Sequence, residues 1–155
     1  MAKQYRPLSM LVRSSLETCF YTLSPSATVG QAVEALCRRR RSAVAVVDAG
    51  RIQGIVTRTD ILKLLKQTDS AEPCKLPLSR IMTKRLYVTG PEKPMREVLE
   101  DMTQAGVEHV PVLDEGELLT IVHERDIMQS QIDAMQDDIL HLREYIKGLH
   151  HAAQD

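Results

Sequence analysis

Residues 54–60 read Gly-Ile-Val-Thr-Arg-Thr-Asp, and residues 120–126 read Thr-Ile-Val-His-Glu-Arg-Asp. The two stretches lie 66 positions apart, and the same shift superposes residues 25–62 on residues 91–128 without a gap. A repeat that stays in register over this length is typical of one structural unit present twice. The sequence therefore predicts two equivalent modules.

The residue pattern inside each copy predicts the order strand, helix, strand, strand, helix. Residues 19–23 form a short β-prone run, and Thr28 with Gln31 makes a capping box that opens an amphipathic helix. Residues 43–47 and 52–56 are β-rich runs separated by a short turn, which predicts a hairpin. The stretch quoted first then opens the second helix. The expected fold class is α/β, of the α+β type, with two β-α-β-β-α repeats.

A shorter match precedes the repeat, because residues 7–9 and residues 77–79 both read Pro-Leu-Ser. This match needs an offset of 70 positions rather than 66, so the first copy carries four extra residues before its first strand. The polar, aperiodic stretch 67–75 is typical of a linker. The predicted division is a first repeat with its amino-terminal segment, a second repeat and a carboxyl-terminal linker helix, at 1–70, 71–130 and 131–155.

Composition narrows the class of protein. The chain has 155 residues, of which 26% are charged, and a net charge of −1. Such a chain presents no overall field that would attract nucleic acid or an anionic membrane. No apolar run is long enough for a membrane span or a signal peptide. We therefore expect neither nucleic-acid nor membrane partners.

The cysteines indicate the redox setting. There are three, far apart and in no Cys-x-x-Cys pair, which indicates neither a disulfide framework nor a zinc knuckle. We therefore expect a reduced, cytoplasmic protein. Cys37 falls on the apolar stripe of a predicted helix, so we expect it to be a small buried hydrophobe. The sequence shows no nucleophile–base pair, glycine-rich phosphate loop or metal-ligand cluster at meaningful spacing, so we predict a non-enzymatic protein with no metal site.

The tandem of such units, each ending in a stretch like residues 54–60, resembles the CBS domain pair, or Bateman module, over residues 7–130. The resemblance rests on residues 23–25, on the strand at 44–48 and on residues 54–60, each echoed in the second copy. It implies two modules related by a pseudo-two-fold axis, with their sheets packed together. It also implies two clefts that bind adenosine-containing ligands.

The resemblance implies that Thr57 and Asp60 hold the ribose hydroxyls. Arg58 is a candidate phosphate partner, for which the alternative is a solvated surface side chain. Thr22 and Ala43 match strand positions that touch the ligand in the family, and the alternative for both is a purely structural role in their strands. The chemistry agrees, because a carboxylate at a strand-to-helix junction can accept two hydrogen bonds from a vicinal diol. A structural alternative stays open, in which Thr57 only caps the helix and Asp60 completes the capping box.

The second copy departs from the motif. Thr120 replaces the glycine and His123 replaces the threonine, whereas Asp126 is retained. The cleft at Asp126 is therefore predicted to be a degenerate nucleotide site. Arg125 and His109 are candidate phosphate partners there, and the alternative for each is a solvated surface side chain.

The tail carries a heptad pattern. Its apolar residues alternate spacings of four and three over three heptads: Ile132, Met135, Ile139, Leu142, Ile146 and Leu149. Isoleucine at a with Met or Leu at d favours a parallel two-stranded coiled coil, in which Asp138 at g faces Arg143 at e of the partner. The alternative is a helix that folds back onto its own modules.

Residues 149–155 are similar to the junction where diguanylate cyclase (GGDEF) domains begin, which predicts an input module of a longer protein. The predicted function is a regulatory sensor that binds AMP, ADP, ATP or an adenosyl ligand and signals to a downstream domain. We expect a homodimer through the modules and the terminal helix. The alternatives are a structural dimerisation scaffold and a metal-ion sensor built on Asp60, Asp126 and Glu124.

Overall fold

The computed structural model describes residues 6–15, 21–39 and 42–152. It confirms the expected mixed α/β architecture with a long carboxyl-terminal helix. The helices are α1 (Ser9–Ser15), α2 (Val29–Arg39), α3 (Arg58–Gln67), α4 (Met95–Ala105) and α5 (Glu124–Ala152). The strands are β1 (Thr22–Leu23), β2 (Ala43–Asp48), β3 (Arg51–Thr57), β4 (His109–Asp114) and β5 (Glu117–His123).

The two hairpins are copies of one another. In each, a two-residue turn has both central residues at positive φ, with 47° and 76° at Ala49 and Gly50 and 47° and 87° at Glu115 and Gly116. Turns of this kind match the right-handed twist of the strands that they join. Each hairpin also has an irregularity at the corresponding point, between Val46 and Val47 in the first and one repeat later in the second.

The first strand of each copy is short. In the first copy β1 pairs with β2 in parallel, with Leu23 opposite Val46. At the corresponding place in the second copy a single bridge joins Thr89 to Val112. The predicted run 19–23 is described only from residue 21.

The two Pro-Leu-Ser segments are exchanged between the modules. Pro7 bridges to Pro94 at the start of α4, whereas Pro77 bridges to Thr28 at the start of α2. Leu8 is accordingly fully buried among core residues of the second module, and Leu78 is fully buried among those of the first. The segment that precedes the first repeat in sequence therefore completes the core of the second in space.

α5 is one continuous helix of 29 residues. Ile127 and Ala134 on it are buried, but residues 135–150 are all exposed. Its first turns pack on the second module, and the rest of the helix projects away from both modules instead of folding back onto them. No helix among the described residues is long and apolar enough to cross a bilayer.

One core expectation is wrong. Cys37 is exposed, although Ala35 and Leu36 beside it are buried. The buried face of α2 therefore ends one residue before Cys37.

Candidate functional site

Thr57 and Asp60 form a reciprocal capping box at the junction of β3 and α3. The Thr57 hydroxyl accepts a hydrogen bond from the Asp60 backbone N–H at 3.3 Å, and Asp60 Oδ2 accepts from the Thr57 backbone N–H at 2.8 Å. The Thr57 hydroxyl also lies 2.9 Å from Asp60 Oδ2. The structural role considered from the sequence is therefore present, and it holds Asp60 in one rotamer.

The other carboxylate oxygen of Asp60 reaches toward the second repeat. The Thr83 hydroxyl donates to Asp60 Oδ1 at 3.3 Å. Thr83 is held there because it exchanges two backbone hydrogen bonds with Ile55 on β3, of 2.8 and 3.1 Å. Gly54 permits this approach, since a Cβ at that position would lie 2.8 Å from the Thr83 carbonyl oxygen.

A cleft of about 290 Å³ opens beside this contact, and we call it the Asp60 cleft. The first repeat contributes Thr57, Asp60 and Lys63, and the second contributes stretches within 83–87 and 106–109. Thr83, Arg85 and Tyr87 were not predicted as site residues. The 66-residue shift alone could not find them, because it does not show that residues 83–87 of the second repeat lie against the motif of the first.

Thr22 and Ala43 lie elsewhere in the described structure. Ala43 pairs with Thr57 across the β2–β3 ladder, and Thr22 pairs with Ala45. Neither is among the residues that line the Asp60 cleft. The counterpart of Ala43 under the repeat shift is His109, which does line it. A ligand contact of Thr22 or Ala43 stays a prediction.

A second cleft, which we call the Asp126 cleft, has a volume of about 380 Å³. It brings together the remaining predicted side chains, which are Arg58, His109, His123, Arg125 and Asp126, with Glu108, Ser42, Thr57 and Thr59 between them. Arg58 therefore lines this cleft and is not among the lining residues of the Asp60 cleft.

His123 replaces the threonine cap with a ring nitrogen. Its Nδ1 accepts a hydrogen bond from the Arg125 backbone N–H at 3.0 Å, and Asp126 Oδ2 accepts one from the His123 backbone N–H at 3.3 Å. The degenerate motif thus retains a helix cap of different chemistry. Histidine has no hydroxyl, so residue 123 cannot give Asp126 the contact that the Thr57 hydroxyl gives Asp60.

His109 is the most perturbed titratable group of the site. Burial lowers its pKa to about 4, assisted by the charge of His123 and opposed by the carboxylates of Glu108, Asp60 and Asp126. Its Nε2 lies 2.7 Å from the Ser42 hydroxyl oxygen, and its ring meets that of His123 edge to face with centroids 4.6 Å apart. His109 is therefore neutral at pH 7 and links the two modules.

A larger cavity of about 580 Å³ adjoins the far side of Asp60. It lies between α3 and the connecting segment, and Lys63 lines both this cavity and the Asp60 cleft. Arg80 adds a second cation to its wall. A ligand anchored at Asp60 could therefore extend to either side of that carboxylate.

The sequence of the chain matches one family model and several known proteins. The family model described as the CBS domain matches residues 15–67 and 78–133. The CBS domain-containing protein YhcV of Bacillus subtilis is 26% identical over 121 residues, covering 78% of this chain and 85% of the relative.

Solved structures agree with this match. The CBS-domain containing protein ATU1752 of Agrobacterium tumefaciens superposes with a TM-score of 0.74 at 26% identity, over 81% of this chain and 99% of that one. The CBS domain pair of protein MJ0100, in complex with 5'-methylthioadenosine and S-adenosyl-L-methionine, gives 0.72 at 23% identity, over 84% and 98%. The chain is thus a tandem pair of such repeats, and it belongs to the CBS domain family.

Proposed function

We propose that this protein is a non-catalytic regulatory module that binds an adenosine-containing nucleotide in the Asp60 cleft. The observation that carries the proposal is the position of the Asp60 carboxylate, which is fixed by the cap on one oxygen and faces the cleft with the other. The MJ0100 pair, which has the same fold, holds two adenosyl compounds. An adenosyl ligand is therefore the first class to test.

Ribose recognition by Asp60 is compatible with its capping role. A carboxylate offers about four lone-pair sites. The Thr57 amide and hydroxyl occupy those of Oδ2, and the Thr83 hydroxyl occupies one of Oδ1 at the long distance of 3.3 Å. One hydroxyl of a vicinal diol would donate to the remaining lone-pair site of Oδ1. The other hydroxyl would displace the Thr83 hydroxyl from Oδ1 or share that oxygen with it.

The charged and aromatic side chains that line the Asp60 cleft suit a nucleotide. Lys63 and Arg85 supply cations for phosphate oxygens, and Tyr87 and His109 supply ring surfaces. Glu108 also lines the cleft, and its negative charge would disfavour phosphates beside it. We therefore infer that the phosphates of AMP, ADP or ATP point toward Lys63 and Arg85.

The output element is α5. It begins at Glu124, beside the Asp126 cleft, and continues without interruption to Ala152. A change in how the two modules pack would move the first turn of α5 and be carried along the rigid helix. We propose that two copies pair along its exposed heptad seam and pass this motion to a downstream domain, for which a cyclic-di-GMP signalling domain is our candidate. Residues 153–155 of the predicted junction lie outside the described residues.

The compartment that we propose is the cytoplasm. Cys37 and Cys74 are both unpaired and exposed, as expected for a protein kept in a reducing environment. In an oxidising compartment, exposed thiols of this kind would oxidise readily.

Calorimetric titration of the full chain with AMP, ADP, ATP, NAD and S-adenosylmethionine tests the proposal. The informative variant is Asp60→Asn, because an amide oxygen can still cap α3 while the charge is lost. Losing charge-assisted bonds to the ribose costs about 1.5–3 kcal/mol, which is about 10- to 150-fold in affinity. Asp126→Asn is the matched control and should bind as the wild type does.

A second candidate function is a structural dimerisation scaffold. It is favoured by the degenerate motif at His123 and by the fact that Asp60 is already engaged as a cap. Absence of binding by all five compounds, together with a stable dimer, would support the scaffold. Binding that is equal in wild type and Asp60→Asn would place the ligand away from the Asp60 cleft.

A further inference from the structure

Three metal-binding side chains converge where the two clefts meet. Glu108, His109 and His123 each offer one ligand atom, and these atoms lie within 4.8 Å of one another. The sequence did not reveal this cluster, because His123 is separated from the other two by the whole β4–β5 hairpin. Nothing in the nucleotide proposal uses the three residues together.

We propose that Glu108, His109 and His123 form a binding site for a late first-row divalent cation, with Zn²⁺ as the preferred ion. Two imidazoles and one carboxylate are a donor set that zinc accepts in proteins. Hard cations such as Mg²⁺ and Ca²⁺ prefer an all-oxygen set and should bind here poorly. The site is a feature of this chain's own hairpin and is independent of whether a nucleotide binds.

The backbone fixes the spacing of the three residues. His109 and His123 are direct partners in the antiparallel β4–β5 ladder. The Glu124 backbone N–H donates to the Glu108 carbonyl oxygen at 2.9 Å, which closes the end of the same ladder. Paired strands, which hold side chains more accurately than loops do, thus carry His109 and His123, and Glu108 lies one residue before β4.

The surroundings prepare His109 to be a ligand. Its Nε2 is paired with the Ser42 hydroxyl at 2.7 Å, which leaves Nδ1 for a metal when the ring donates to serine. Ring partners of this kind orient metal-binding histidines and raise their affinity.

Metal binding requires two adjustments. His123 Nδ1 now accepts a hydrogen bond from the Arg125 backbone N–H, and this bond is lost whether a metal binds Nδ1 or the tautomer changes to free Nε2. Ligand atoms around tetrahedral zinc are about 3.4 Å apart, so the separations among the three, which are within 4.8 Å, must shorten by up to about 1.4 Å. Exposed Glu108 supplies most of this movement through its side-chain torsions.

Three protein ligands leave one coordination position open. The Asp126 cleft adjoins the cluster and is lined by all three of its side chains. The fourth ligand is therefore a water or an anionic oxygen that enters from this cleft. Arg58 and Arg125 line the same cleft and would balance the negative charge of such an anion.

The experiment uses the untagged full chain in a background in which His150→Ala and His151→Ala remove the histidine pair at the end of α5. Chelator-treated protein is titrated with Zn²⁺ by calorimetry and with Co²⁺ by visible absorption, without nucleotide. We expect one equivalent to bind and to produce the absorption bands of four-coordinate Co²⁺. Mg²⁺ at the same concentration should not compete.

The variants separate ligation from folding. Glu108→Gln changes an exposed side chain and should lower Zn²⁺ affinity at least about tenfold, as should His123→Gln, while Ser42→Ala should lower it about tenfold. His141→Ala is the matched control, because His141 is an exposed histidine on α5 far along the chain from the cluster. Circular dichroism of each metal-free variant shows whether it is folded.

Two results would overturn the proposal. One is the absence of stoichiometric Zn²⁺ binding in the background protein. The other is an ion bound elsewhere, which wild-type affinity in both Glu108→Gln and His123→Gln, or loss of binding in His141→Ala, would show. Nucleotide titration in the presence of chelator reports separately on the Asp60 cleft, so the two proposals can fail independently.

Discussion

The hydroxyl of Thr83 donates a hydrogen bond to Asp60 Oδ1 at 3.3 Å, and this contact joins the motif helix of the first repeat to the second repeat. The same carboxylate caps α3 through its other oxygen. Asp60 therefore stabilises a helix, links two repeats and faces a cleft. Substitutions at this residue have to be interpreted with all three roles in mind.

Asp60→Ala should lower the free energy of unfolding by about 1–2 kcal/mol, because it removes the capping box of α3. Asp126→Ala should cost less, since Asp126 accepts one backbone hydrogen bond at 3.3 Å and its helix is also capped by the His123 ring. Urea unfolding of both variants measures the difference. Equal losses would contradict the unequal roles that we assign to the two carboxylates.

Gly54→Ala should destabilise the protein by about 1–3 kcal/mol, as overpacking does. The added Cβ would lie 2.8 Å from the Thr83 carbonyl oxygen and 3.0 Å from Met82 Sδ, so the segment at residues 82–83 must move. Because Thr83 lines the Asp60 cleft, the affinity for nucleotide should also fall. Gly90→Ala is the matched control, because the nearest atom there is 4.0 Å away. Thermal unfolding that is the same for both variants would show that Thr83 moves without cost.

His109 should make the metal-free protein less stable in mild acid. Its pKa is about 4 when folded, below the value of 6.5 in a free side chain, so the unfolded chain binds more protons between these pH values. The free energy of unfolding therefore falls as the pH decreases from about 6.5 to about 4, by roughly 2–3 kcal/mol. Above pH 6.5 the loss is absent, because His109 is neutral in both the folded and the unfolded chain.

The test compares wild type with His109→Gln by urea unfolding at several pH values in the presence of chelator. Asp60, Glu108, Asp126 and His123 face His109, and all four are present in both proteins. The difference between the two curves thus isolates His109. Parallel curves across this range would contradict the prediction.

The α5 seam predicts different effects for two adjacent apolar residues. Ile139 lies on the seam and Leu140 lies beside it, although their exposed fractions are nearly equal, at 50% and 54%. Ile139→Asp should raise the dissociation constant of the proposed dimer at least about tenfold, because it removes an isoleucine from each of the two helices at the seam that the dimer would bury. Leu140→Asp should leave it unchanged.

Analytical ultracentrifugation distinguishes these cases. Equal effects of the two substitutions would show that the heptad register is wrong. A dimer that persists both in Ile139→Asp and in a chain ending at Ser130 would show that the modules associate directly. A monomer in both would show that the coil alone holds the dimer.

Local chemistry made several elements predictable. Thr57 and Asp60 were identified as a capping box from their spacing, and they form one, since this motif involves residues only three apart. The turns at residues 49–50 and 115–116 were likewise predicted from their composition. The cap formed by His123 was missed, because histidine is not among the residues expected at this position.

The pairing of His109 with His123 was not predictable in the same way. Counting outward from the turn at 115–116 with a regular ladder would place His109 opposite Val122 and His123 on the other face. The irregularity between Val112 and Leu113 shifts the pairing by one residue and brings the two rings together. A shift of this kind depends on packing against the rest of the protein.

The sequence by itself determined the duplication, the order of the elements and the caps, because these depend on periodicity and on residues close along the chain. Only the tertiary structure decided which partner each apolar residue meets. Leu8 completes the second module's core and Leu78 the first module's, and Thr83 comes to lie beside Asp60. Periodicity identifies the face of an element that is buried, but burial is non-directional and does not name its partner. The clefts lie between such partners, and for that reason their walls could be seen only in the folded chain.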